Sequence, residues 1–247
     1  MLPYAYWLYS KNKLLKTTST KDTKCLYYFS PDHTELDVGR EWSEDCLKGF
    51  PNKRVHVKRL KTSKWVPPPY KEFYENDVYR YSKPLCMISN KYTTEWGGPP
   101  INFLSVELLR QILDEISGRY QVIYNRPFKY ITEDDQKSLE FDDFEMIRRE
   151  YPDVLFLDEL FKANKANDTF NEVQFKVHAN CDCFLSVQGG GSVLSSYFGG
   201  TNLILAKRGA ELGWKSYSNW YHTFSGAKIQ HTDSDQDLFE LVRTNFT

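Results

Sequence analysis

Phe184 to Gly200 reads FLSVQGGGSVLSSYFGG. An apolar run stops at three consecutive glycines, Gly189, Gly190 and Gly191, and Ser192 opens a segment with the composition of a short helix. This is a strand handing over to a helix through a turn without side chains. Glycine permits positive φ and close approach of backbone to a ligand. The first turn of a helix offers N–H groups and positive partial charge, and Ser192 adds a hydroxyl. Such a turn can cradle a diphosphate. Three sharper motifs fail here. Leu194 stands where both the dinucleotide fingerprint G-x-G-x-x-G and the elbow G-x-S-x-G need their last glycine, and the lysine of the triphosphatase loop is missing. Taken alone, the turn fits a phosphate cradle and a tight structural bend equally well.

Outward from this turn the pattern is regular. Leu85–Ser89 (LCMIS), Tyr120–Asn125, Asp153–Leu157, Cys183–Val187 and Asn202–Ala206 read as strands, with Ala227–Gln230 as a short last one. Ser105–Ser117 puts Val106, Leu109, Ile112 and Ile116 on one helical face, with Ser105 as cap and Gly118 as stop. Residues 141–151 and Asp168–Ala179 read as further helices, and residues 233–246 as a closing one. Alternating strands and helices predict an α/β fold with right-handed crossovers and a mostly parallel sheet, whose ligand lies beyond the carboxyl ends of the strands. Residues 84–247 form this regular part. Residues 1–83, rich in Lys, Tyr and turn formers, read as a smaller α/β half with an early strand at Cys25–Phe29 and an alternating strand at Arg54–Leu60 that carries His56. The three prolines Pro67–Pro69 keep the stretch from Lys64 to Pro84 out of any strand or helix interior, so it reads as a crossover.

Composition narrows the function. Among 247 residues, 32 Lys plus Arg face 33 Asp plus Glu. That balance argues against a general nucleic-acid or anionic-membrane binder, which needs a basic excess. Aromatic content is high, with 17 Tyr, 16 Phe and 6 Trp; rings of this kind fill cores and line sugar or base sites. Five irregularly spaced cysteines imply no disulfide framework. Lys11 and Lys13 follow the apolar opening without a cleavage site, and no run reaches the ~20 residues of a membrane span. The expectation is a soluble, cytoplasmic chain without a membrane span.

Other polar groups gather at predicted strand ends. The loop Ser89–Phe103 follows the first strand of the regular part. Lys91 can neutralise a phosphate, Asn90 can donate to one, Glu95 can accept from hydroxyls and Trp96 can stack on a ring; the competing reading is a loop packed by its own Trp and prolines. Arg126 can reach phosphate, Asp158 can line a base pocket and Glu211 can hold ribose, each with an ordinary surface ion pair as alternative. In FSPDHTELD (Phe29–Asp37), Asp32, His33 and Glu35 are candidates for the base that takes a hydroxyl proton, with an Asp32–His33 pair orienting the imidazole. The alternative is a polar turn in which Asp32 caps a short helix running through Glu35. His178, Cys181 and Cys183 lack the fourth ligand zinc requires. The DSD of Asp233–Asp235 and the acids at Glu133–Asp135 read as helix starts, so no metal site is expected.

With Asp182, Phe184, Leu185, Ser186, Gly189, Gly190 and Ser192, then Gly199, Gly200 and NLILAKRG, residues 84–247 resemble the nucleotide-sugar half of GT-B glycosyltransferases. The runs YAYWLYSKNKLLKTTSTKDTKCLYYFSPDHTE, ISNKYTTEWGGPPINF and FLSVQGGGSVLSSYFGG resemble small glycosyltransferases, among them xylosyltransferases, of large DNA viruses of algae. The resemblance implies a GT-B-like fold whose Rossmann-like C-terminal half binds a nucleotide sugar. The implied donor is a UDP-sugar such as UDP-xylose, and the acceptor is a glycan hydroxyl docked on residues 1–83. It also implies catalysis without a metal ion, in the host cytosol. The donor-binding set is then Asn90, Lys91, Glu95, Trp96, Arg126, Asp158, Ser186, Gln188, Gly189, Gly190, Gly191, Ser192 and Glu211. A nucleotide-sugar epimerase of the same fold and a non-catalytic glycan or nucleotide binder remain the alternatives.

Overall fold

A computed structural model describes residues 2–14, 16–37, 62–126 and 138–246. The chain runs α1 (Leu2–Ser10), β1 (Thr17–Thr20), a 3-10 turn (Lys24–Tyr27), β2 (His33–Leu36), a second 3-10 turn (Thr62–Lys64) and α2 (Tyr70–Tyr74). It continues through β3 (Leu85–Ser89), α3 (Val106–Ile116), β4 (Gln121–Asn125), α4 (Asp143–Glu150), β5 (Leu155–Phe156), α5 (Leu157–Ala163), α6 (Phe170–Ala179) and β6 (Cys181–Val187). It ends with α7 (Gly190–Ser195), β7 (Thr201–Leu205), α8 (Ala210–Gly213), α9 (Ser216–Asn219), a 3-10 turn (Tyr221–Phe224), β8 (Lys228–Thr232) and α10 (Asp235–Phe246).

Six strands form one sheet in the order β5-β4-β3-β6-β7-β8, and every neighbouring pair is parallel. From β3 the chain steps outward through β4 to β5. It then returns to β6 on the other side of β3 and steps outward through β7 to β8. The loops leaving β3 and β6 therefore diverge, opening a crevice at the carboxyl ends of the two central strands, where open α/β sheets take their ligands.

Both faces of the sheet are covered, which is why LCMIS is apolar throughout instead of alternating; all five of its residues are buried. Cys86 and Ile88 face a cluster with Leu109, Ile112 and Ile116 of α3, Ile147 of α4 and Leu238 and Val242 of α10. Leu85 and Met87 face a second cluster with Val173 and Val177 of α6 and Tyr70 and Tyr74 of α2. The Ser105 hydroxyl caps α3 by accepting from the Leu108 N–H. Glycine is obligatory between β6 and β7, because a Cβ on Gly200 would lie 2.1 Å from the Asp182 carbonyl oxygen.

The described part of residues 1–83 adds one two-stranded parallel ladder, β1 with β2. Its aromatic residues enter the same core as the larger sheet: the Tyr70 and Tyr74 hydroxyls donate to the Leu26 and Cys25 carbonyls, each at 2.7 Å, while both rings pack edge-on against Phe175. Four local expectations are corrected. The strand of this region is His33–Leu36, not Cys25–Phe29, because its partner is the Thr-rich β1, whose side chains suit an extended pleat; Lys24–Tyr27 is a 3-10 turn. Asp32 accordingly precedes a strand and caps no helix. The stretch Lys64–Pro84 is not free of helix: Tyr70–Tyr74 forms α2 directly after the three prolines, whose fixed φ suits a helix start. The predicted strand Asp153–Leu157 shrinks to two residues on the sheet edge, and α5 starts at Leu157 with Asp158 and Glu159 in its first turn, where the helix dipole favours acids. The predicted strand Arg54–Leu60 with His56, and Glu133–Asp135, lie outside the described residues. Among the described residues no helix is long and apolar enough to cross a membrane, and all four cysteines are free.

One buried histidine makes this core sensitive to pH. His178 on α6 is fully buried, with Nδ1 2.8 Å from the Gln174 carbonyl oxygen and Nε2 3.4 Å from Ser195 Oγ. A carbonyl only accepts, so Nδ1 carries the proton and Nε2 accepts. Burial lowers the imidazole from 6.5 to about 4. Between these values the unfolded chain binds a proton that the fold refuses, so stability falls as pH drops through that window. Melting temperature is expected to decline from pH 7 to pH 4.5, and the decline is expected to be shallower in His178→Gln.

Candidate functional site at the sheet's switch point

The three glycines after β6 have separate tasks. Gly189 adopts φ 132° and ψ −160°, a backbone region reserved for glycine. Gly191 packs against the end of β3, where an added Cβ would sit 3.4 Å from Ser89 Cβ. A Cβ on Gly190 would meet nothing within 4 Å. The turn thus presents its middle residue to open space. The first-turn N–H groups of α7 have no helical acceptors.

A cation lies beside it. Lys91, two residues past β3, holds its ammonium 3.5 Å from the place a Gly189 Cβ would occupy. It contacts the carboxylate of Glu95, which is 3% exposed, and lies 3.4 Å from Gln188 Oε1. Asn102 ties this loop to the one after β7: its Nδ2 donates to Glu95 Oε2 and to the Arg208 carbonyl, both at 2.9 Å, and its Oδ1 accepts from the N–H groups of Lys207 and Arg208. Gln188 Nε2 donates to Glu211 Oε2 at 2.7 Å. Two polar atoms in this strand end and loop, Ser89 Oγ and Thr93 Oγ1, are buried without a hydrogen-bond partner among the described residues. Buried hydroxyls rarely stay unsatisfied unless a water, an ion or a ligand serves them.

Asn90 is a positioning residue. Its Oδ1 accepts from the N–H groups of Lys91 and Leu104, and its Nδ2 donates to the Leu104 carbonyl and the Tyr124 hydroxyl. Tyr124 in turn donates to Asp143. Arg126 does not point at the crevice as expected. Its guanidinium is buried in a two-pronged pair with Asp143, at 2.6 and 2.7 Å, and lies over Phe144.

Of the predicted site residues, the fold gathers Asn90, Lys91, Glu95, Trp96, Gln188, Gly189, Gly190, Gly191 and Glu211 around one crevice. Ser186 and Ser192 sit behind it, fully buried; Ser186 Oγ donates to Asn202 Oδ1 and Ser192 Oγ to the Gly189 carbonyl, so both shape the turn from within. Asp158 stands beyond edge strand β5, paired with Lys162. Sequence reading missed Asn102, Ser89, Tyr124 and Asp143; only the convergence of polar residues in the loop 89–103 pointed toward the first two.

The N-terminal candidates are arranged differently from the expected Asp–His pair. His33 lies on β2 with Nδ1 2.7 Å from Thr17 Oγ1 and Nε2 3.0 Å from Ser19 Oγ, and its ring stacks on Tyr27. Burial lowers its pKa. Glu35 Oε1 accepts from the N–H groups of Thr23 and Lys24 and so caps the 3-10 turn. The Asp32 side chain is exposed.

A cavity of about 280 Å³ opens at the amino ends of β3, β4 and β5, opposite the glycine turn, between Lys83, Tyr120, Gln121, Glu150 and Asp153. Its single lysine donates to the Ser117 carbonyl, and the carboxylates of Glu150 and Asp153 line the same cavity, a poor setting for a dianion. Among the described residues no group of three or more His, Cys, Asp or Glu side chains is placed to hold a metal ion. No family model matches this chain, and no curated protein or solved structure matches it either.

Proposed function

We propose that the protein transfers a sugar from a nucleotide-sugar donor, a UDP-sugar such as UDP-xylose, to a hydroxyl of a glycan acceptor. The observation that carries the reading is the open space over Gly190 with the Lys91 ammonium beside Gly189, both at the switch point of a parallel sheet. In this reading the six-stranded unit is the donor half of a GT-B-like enzyme, and the acceptor rests against residues 1–83. A base takes the acceptor proton, the freed oxygen bonds to the anomeric carbon, and the bond from that carbon to the diphosphate breaks with its electron pair on the phosphate oxygen. Lys91 and the N–H groups of the turn offset the charge that develops on the departing diphosphate, which is the part of such reactions where fixed dipoles act most strongly. Of the three candidate bases, Asp32 has the carboxylate not engaged in capping, and it receives the role.

A second reading, a non-catalytic nucleotide or glycan binder, draws on one observation: His33 and Glu35 are spent on local hydrogen bonds. Incubation with UDP-, GDP- and CMP-sugars in the presence of a chelator separates the readings. Slow release of nucleotide is expected, reduced by roughly 10²-fold or more in Asp32→Asn with donor affinity unchanged. An isomerised sugar would make the protein an epimerase, and bound but unaltered donor would make it a binder.

A further inference from the structure

Trp96 keeps 55% of its surface exposed, at a position where the chain has built support for it. It tips a tight turn in which Glu95 and Gly98 exchange both backbone hydrogen bonds, at 3.1 and 2.9 Å. Trp96 itself sits at φ 49° and Gly97 at φ 73°, and positive φ is costly for a large side chain. The Arg208 guanidinium lies over the indole, 4.9 Å from its centroid. Both halves of this stack are fixed by one buried residue, since Asn102 holds the Glu95 carboxylate on one side and the Arg208 N–H and carbonyl on the other. Glu95, the neighbour of Trp96, also holds the Lys91 ammonium against the glycine turn. Ring platform and phosphate position are therefore linked through two adjoining residues.

From this arrangement we infer that Trp96, with Arg208 against one face of its indole, takes the base of a nucleoside diphosphate on the other face, a three-layer stacking clamp. The inference rests on the phosphate reading of the glycine turn. A planar heterocycle matches two planar partners, because base, indole and guanidinium all present delocalised faces. An indole face alone would also take the C–H face of a sugar; the guanidinium against it adds a second delocalised plane, which favours a base, and titration with both kinds of ligand separates the two. The carboxylates and amides that could serve hydroxyls, Glu95, Asn102, Gln188 and Glu211, lie deeper and are already paired with one another or with Lys91 and the backbone.

Calorimetric titration tests this with inorganic pyrophosphate, with UDP, GDP and ADP, and with free xylose and glucose. At least one nucleoside diphosphate is expected to bind about 10-fold tighter than pyrophosphate, a gain of ~1.4 kcal/mol. Trp96→Ala is expected to erase that gain while leaving pyrophosphate affinity and the melting curve unchanged, and Trp96→Phe to keep part of it. The clamp is overturned, with the phosphate reading intact, if nucleosides add nothing to pyrophosphate binding or if the gain survives Trp96→Ala. It is likewise overturned if the free sugars, and not the nucleoside diphosphates, lose affinity in that variant. If wild-type protein binds neither pyrophosphate nor any nucleoside diphosphate, the phosphate reading falls and the clamp falls with it.

Discussion

Gly190→Val is expected to lower affinity for nucleoside diphosphates at least about 100-fold, or ~2.8 kcal/mol, while leaving the melting curve close to wild type. The two halves of this expectation come from the same observation. An added Cβ at Gly190 meets no atom within 4 Å, so the free protein accommodates the isopropyl group without a clash. Valine and glycine differ by only a few tenths of a kcal/mol in helix propensity, so the first turn of α7 is little affected. What the side chain does occupy is the open space at this turn, which the proposed reading gives to the diphosphate. Neighbouring positions make poorer tests. A side chain at Gly189 would strain a backbone that only glycine adopts, and one at Gly191 would press on Ser89; both would confuse loss of fold with loss of site. A Gly190→Val protein that binds as tightly as wild type would show that no phosphate rests on this turn.

The second large effect concerns the support under Lys91. Asp143→Ala is expected to destabilise the protein by about 3–5 kcal/mol, because it breaks the buried two-pronged pair between this carboxylate and the Arg126 guanidinium. The same change removes the acceptor of the Tyr124 hydroxyl, which anchors Asn90 and through it the start of the loop that carries Lys91. Chemical denaturation reads the loss, and the double variant Arg126→Met with Asp143→Leu is expected to recover most of it, since an apolar pair of similar volume avoids the buried charge. A cost under about 1 kcal/mol for Asp143→Ala would mean that water reaches the pair and that it behaves as a surface contact.

Much of the fold is legible because burial writes itself into local patterns. LCMIS and NLILA are apolar runs with no alternation, as strands covered on both faces must be, and the period of Leu109, Ile112 and Ile116 marks the inner side of α3. The ladder of β1 and β2 is not legible in this way. Thr17–Thr20 and His33–Leu36 are polar, and each becomes a strand only because the other lies alongside, a fact about two separated segments that neither contains. The start of α5 is hidden for a related reason: Leu155 and Phe156 look like the opening of a longer strand, and only their place on the sheet edge cuts it short.

The site divides similarly. The glycine turn and the polar loop after β3 are visible as residue types gathered at strand ends. Arg126 is a basic residue at a strand end as well, but its pairing with Asp143 depends on how α4 lies against β4, and that geometry turns an apparent phosphate ligand into a buried structural pair. Asn102 is the reverse case. An asparagine in a loop carries no signal of its own, yet one amide here holds Glu95, Lys207 and Arg208 together.

The most direct test is a crystal of the wild-type protein soaked with UDP. The diphosphate oxygens are expected roughly 2.7–3.2 Å from the N–H groups of Gly190 and Gly191 and from Lys91 Nζ, with the nucleoside extending toward Trp96. Density for UDP at the amino ends of the strands between Lys83 and Tyr120, or a turn covered by packed side chains over Gly190, would contradict the assignment.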